Sequence, residues 1–352
     1  MLWFPSQKIT IFLFVILASL TFLGQQSFAG QEVVEAVSEI STLPSVFQPH
    51  LMTHCAVLDR SGSLLWQFPY EHCHFADDGS FVAATGQFLF FFNHKSELLK
   101  KLELYPHHDI FKMRNGDYIV LGSQFVTQKD KVIRYDTVSR FSESGVLKGQ
   151  FVFDEESFLN PIVRKRKLKI RTVSTEWLQN ENKGAHEHTH ANSAYEDASG
   201  QVWVYMGVIK IVAKLSSDLK KINSILHHNA YTFHDVQPQR NGSILVYVNK
   251  LRKESNRSTL ALYNKDLDIL EQSWEFKNPD FYSEFGGGVQ LIGEDFILFS
   301  EYKDKTTIVS IYDRKAQIKY KLNISDSLKR KNPIQSIKNT DLTKFLKNNR
   351  KL

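Results

Sequence analysis

The segment from His108 to Gly116 aligns without a gap on the segment from His234 to Gly242, with His, Asp, Arg, Asn and Gly common to both. A chain that repeats a strand and its closing turn in this way is built from stacked copies of one unit. Asn-Gly is a strong hairpin signal because both residues accept positive φ, and related glycine turns occur at Asp78-Gly79, Asn115-Gly116, Ser199-Gly200, Asn241-Gly242 and Ile292-Gly293. The glycines are separated by 37, 84, 42 and 51 residues, with 84 close to two units. A second, polar turn follows in most units, at Asp59 to Gly62, Asn93 to Ser96, Ser142 to Gly145, Ser216 to Asp218, Asn264 to Asp266 and Asp313 to Lys315. Two alternating hairpins give a four-stranded antiparallel module, and modules of this period imply an all-β chain folded as a β-propeller. No sustained period of 3.6 interrupts the pattern, and the 12% aromatic content suits a pleated, half-buried surface.

The ends differ from this body. Residues 1–29 read as a signal peptide: Lys8, an apolar stretch from Ile9 to Leu23, and Ser27-Phe28-Ala29 ahead of Gly30. The implied location is periplasmic or secreted. An uncleaved segment would instead anchor the chain to a membrane, although the stretch falls short of the roughly 20 residues of a span. Residues 30–50 read as a lead-in, 51–322 as the propeller with an insertion over about 154–185, and 323–352 as a basic tail. Of the net charge of +6, the stretch from Lys329 to Leu352 alone carries eight Lys/Arg against Asp341. The body is therefore near neutral, which argues against a nucleic-acid footprint on the fold. Cys55 and Cys73 are the only cysteines; in an oxidising compartment they form a disulfide or stay as two buried thiols.

All 13 histidines occur by position 234, largely in clusters. His108 and His234 each stand eight residues before a hairpin glycine, and His190 stands ten before Gly200. In a propeller the residue that opens an inner strand sits at the rim of the central channel, so these three would converge near the axis. The bland alternative is that Asp109 and Asp235 hold hairpin ends by hydrogen bonds and that the run from His186 to His190 is a solvated loop.

The motifs His108-Asp109 with Asn115-Gly116-Asp117-Tyr118, His188-Thr189-His190-Ala191-Asn192-Ser193, and His234-Asp235-Val236-Gln237 with Asn241-Gly242 resemble those of the arylsulfotransferase family. Trp274-Glu275-Phe276 and Gly288-Val289-Gln290-Leu291 are similar to that family's closing segment. The resemblance spans roughly residues 50 to 310 and implies a six-bladed propeller that moves a sulfuryl group between phenols through a sulfated histidine, with no cofactor. It places His190, His234 and Arg252 in catalysis, with Arg257 as a rival arginine, and His108, His188, Asn192 and Asp235 around a small aromatic or aryl sulfate ligand. Neutral imidazole is a competent nucleophile near pH 7, and guanidinium binds oxyanions bidentately. The sequence departs from the family in the last repeat, where counting eight back from Gly293 gives Phe285. Two other functions fit the same residues: a metal-dependent enzyme in which axial histidines hold zinc or iron, and a non-catalytic binding propeller.

Overall fold

The computed structural model describes residues 32–36, 46–51, 54–59, 64–68, 72–76, 78–128, 131–159, 171–173, 185–187, 189–227, 232–250, 258–267, 270–274, 288–292, 296–303, 306–313, 318–325 and 337–338. Their strands form six sheets in chain order, the blades of a propeller, antiparallel throughout except for one added parallel pair in the third. Successive blades open with Val46–Leu51, His72–Phe75, Ile110–Lys112, Ala191–Glu196, Thr232–Pro238 and Gly288–Ile292, each followed by the next strands in simple up-and-down order.

In blades two to five the first strand turns into the second through the same pair of backbone bonds. The amide of Ala76, Met113, Asp197 or Gln239 bonds the carbonyl four residues on, and the amide of Gly79, Gly116, Gly200 or Gly242 bonds back. These glycines have φ between 84° and 91°, where a side chain would be strained. The hairpin glycines of the repeat therefore stand where the turn requires them; Gly293 lies outside the described residues.

The opening strands contact one another in sequence from blade two to blade six, and His72–Phe75 meets Val46–Leu51 of blade one. Gly288–Ile292 meets Ile337–Lys338, which forms the inner edge of blade one and closes the ring. At the other end of the chain, Glu32–Ala36 adds to the outer edge of blade six by pairing with Ile318–Ser325. The lead-in expected from sequence thus holds Glu32–Ala36 and nearly all of Val46–Leu51, the basic tail holds Ile337–Lys338, and the propeller extends beyond both 51 and 322. Ile337–Lys338 is too short to show an alternating pattern, so only closure of the ring reveals it.

The insertion also contributes structure. Tyr118–Gln128 and Lys131–Phe141 overshoot the blade as a long hairpin, and Ala185–Glu187 pairs parallel with Val132 to Arg134 on its upper half, with Arg171–Val173 beyond. Between blades, side chains from facing sheets form shared cores: Ile119, Leu121 and Val138 with Ala194, Val204 and Met206, then Tyr205 and Val212 with Phe233 and Val246. Blades three, four and five have apolar neighbours on both faces, which explains strands that are continuously buried, such as Val202–Met206.

Candidate functional site: an imidazole cluster at the head of the inner strands

The opening strands of blades four and five are both bulged near their start, with Asn192 lying in the register shift between Ala191 and Ser193, and His234 in that between Phe233 and Asp235. Blade three does the same by another route. Leu121 bonds both His107 and Asp109, and the amide of Asp109 bonds the carbonyl of His107 across His108, at 2.8 Å. This γ-turn puts His108 at φ 58°, a strained conformation for a side-chain-bearing residue. Bulges re-aim side chains, and here one device in three consecutive blades presents His108, Asn192 and His234. His190 enters from two residues further up its strand, also left-handed at φ 55°.

The result is a packed group of imidazoles. The ring of His108 lies edge-on to His107 at 5.1 Å, to His190 at 4.9 Å and to His234 at 6.1 Å between centroids. Burial, followed by the neighbouring His190, pushes His234 down to about 4. Burial first, then His190, His107, His234 and Arg134, holds His108 well below the ordinary imidazole range. Both rings are therefore neutral near pH 7. His108 Nδ1 is buried without a hydrogen-bond partner.

Asp136 anchors the cluster from the third strand of blade three. Its Oδ2 accepts from Thr189 Oγ1 and from the Ala191 amide at 2.8 Å, which fixes the backbone on either side of His190. Its Oδ1 lies 3.1 Å from His107 Nε2 and 3.5 Å from the Arg134 guanidinium. Burial opposes ionisation of this carboxyl, but the His107 and Arg134 contacts and the Thr189 bond outweigh it and hold Asp136 well below the usual carboxylate range. His107 Nε2 faces two acceptors, Asp136 and the Gly122 carbonyl at 3.0 Å, so Nε2 carries the proton and Nδ1, buried and unpartnered, is the bare nitrogen. Arg134 donates to Ser123 Oγ at 2.8 Å and is buried, a fixed positive charge behind the rings.

The aspartates of the repeated His-Asp pair serve the neighbouring blade. Asp109 accepts from the Ala194 amide at 3.4 Å, Ser193 Oγ from Val236 at 3.2 Å, and Asp235 from Val289 at 3.1 Å. One register position thus clamps the inner strands of blades three, four and five each to the next. Asp235, expected beside the ligand with the histidines, belongs to this clamp and to a different cavity; burial and then Asp109 push its carboxyl up to about 7. The clamp also revises the comparison in blade six. Val289 occupies the position of Val236 and Ala194, so the residue in the His234 register is Gly287. Counting back from Gly293 to Phe285 is two residues out because Gly293 stands two residues ahead of the place that Gly242 holds, the pairs Val236–Val246 and Val289–Phe299 giving both hairpins the same length.

His108, His190 and His234 therefore come together. Asn192 is pressed against Gly207, where a Cβ would come within 2.6 Å of its Nδ2, and its Oδ1 is buried without a partner. Arg252, Arg257, His188 and Phe285 lie outside the described residues. Cys73 is disulfide-bonded, and Cys55 is the chain's other cysteine. The sequence reading does not find Arg134 and Asp136 as site residues, because their strand lies outside the repeated motif and no local pattern marks them. Among the described residues no group of His, Cys, Asp or Glu is arranged to hold a metal ion, and no helix is long and apolar enough to cross a membrane.

No family model matches this sequence, and no curated protein matches it. Among solved structures, a protein of unknown function from Bacteroides caccae is similar at a TM-score of 0.57 and 10% identity, over 84% of this chain and 98% of that one. Virginiamycin B lyase from Staphylococcus aureus gives a TM-score of 0.42 at 10% identity, over 70% of this chain and 68% of that one. The first of these likenesses supports the fold alone, and the chain is an all-β propeller.

Proposed function

We propose that the imidazole cluster transfers a sulfuryl group between phenolic compounds, with His234 as the nucleophile. The observation that carries this reading is the meeting of His108, His190 and His234 from three blades with Arg134 buried behind them. His234 is only partly buried and makes no hydrogen bond among the described residues, so its neutral ring keeps a lone pair for attack. In the first step that lone pair forms an N–S bond as the S–O bond to the donor phenol breaks. The proton on the other nitrogen of the sulfated ring passes to the departing phenolate, directly or through His108 or His190. An acceptor phenol reverses these steps. Arg134 supplies positive charge beside the sulfuryl oxygens, the task the family resemblance assigned to Arg252.

The test is release of nitrophenol from 4-nitrophenyl sulfate with phenol as acceptor. Acceptor-dependent turnover, reduced by about 1,000-fold or more in His234→Ala, is the expected result. Well-folded protein that binds the ester without turning it over would make the cluster a binding site and reject the transfer reading.

A further inference from the structure

A cavity of about 760 Å³ opens at the turn end of the inner strands, and none of the clustered imidazoles lines it. Its mouth carries Arg114 and Arg240, each two residues before a hairpin glycine and so in the same register. Arg114 is fully engaged with blade four. Its amide and Nε donate to Glu196 at 2.8 and 3.3 Å, and its guanidinium donates to the Asp197 carbonyl at 2.6 Å. The clamp register identifies the residue facing Arg240 from blade six. The amides of Ala194 and Val289 donate to the same clamp, and two residues further on stand Glu196 and Leu291. Leucine has replaced the carboxylate, and Arg240 is exposed with no hydrogen bond or ion pair among the described residues.

Deeper in, the wall carries Tyr195, Gln237 and Asp235. Gln237 Nε2 lies 2.9 Å from Asp235 Oδ2 and 3.2 Å from the Tyr195 hydroxyl. Asp235 is only 4% exposed, and its Oδ1 has no partner; an orphaned buried acceptor of this kind points to a donor supplied from outside the chain. Phe111 contributes an apolar face between the two ends and packs edge-on to Tyr195 at 5.2 Å. The volume is in the range of small-molecule sites, which combine apolar walls with a few convergent polar groups.

We propose that this cavity binds a small aromatic acid whose carboxylate pairs with Arg240 and whose hydroxyl, at the far end of the ring, hydrogen-bonds within the Asp235, Tyr195 and Gln237 group. The site stands apart from the transfer chemistry, and its test measures no turnover. Calorimetry with 4-hydroxyphenylacetate, phenylacetate and 4-methylphenol probes both ends. The first should bind one per chain, and loss of its hydroxyl should weaken binding about tenfold. Arg240→Gln should weaken the hydroxy acid about fivefold, the upper range for an exposed ion pair, and leave 4-methylphenol unchanged. Leu291→Glu, which supplies Arg240 with the partner that Arg114 has, should act in the same direction. No binding at millimolar concentration, equal binding of all three probes, or binding indifferent to Arg240→Gln would overturn the proposal.

Discussion

Protonating His234 in the folded chain is costly because the ring is surrounded by protein and by His190. With the folded value depressed to about 4 against 6.5 for the free side chain, its contribution to stability is present above about pH 6.5 and is lost as pH falls toward 4, up to about 3 kcal/mol. Asp235 has the opposite sign. Its value is raised to about 7, so its contribution is present at acid pH and lost as pH rises through neutrality. For transfer by His234, the acid limb of the kcat/KM profile should therefore lie near pH 4 to 5, since the nucleophile stays unprotonated well below the ordinary imidazole value. A limb centred near 6.5 would mean that the ring titrates as if in water and that the cluster does not hold it neutral.

At the scale of the element, the unit that matters is a bulged inner strand with a clamp one residue later. The bulge aims a polar side chain at the channel and the clamp fixes the strand to its neighbour, so site geometry and blade packing share a register. Outer strands pack with little slack. The Gly149 position lies on Leu147–Val152, and a Cβ there would come within 2.5 Å of the Asp218 carbonyl oxygen in blade four. Because the obstacle is backbone, Gly149→Ala should cost roughly 1–3 kcal/mol through overpacking, read as a lowered denaturant midpoint. Gly242→Ala is strained for a different reason: nothing lies within 4 Å, but φ is 87°, so its cost should come from the turn alone.

At the scale of the whole molecule, the glycine turns made the four-stranded repeat and the propeller legible, because a type of turn that needs positive φ leaves its residue in the sequence. His108 and His234 were legible for the same reason, being tied to those turns by a constant spacing. The closing strands were not, since Ile337–Lys338 carries no pattern of its own and Glu32–Ala36 pairs with a strand almost the full chain length away. Arg134 and Asp136 were missed because they reach the rings from the third strand of a blade, through the long hairpin that rises above the sheet. Their role depends on which strand overshoots, a property of the assembled ring and not of local sequence. The ring brings three blades to one cluster, and the account stands on that cluster acting as a covalent relay. Its most direct test is to mix the protein with 4-nitrophenyl sulfate in the absence of acceptor and follow nitrophenol release together with the intact mass. The account predicts a burst of one nitrophenol per chain, a mass gain of one sulfuryl group, and loss of both in His234→Ala. Release without a burst or a mass gain, or a burst that survives in His234→Ala, would contradict it.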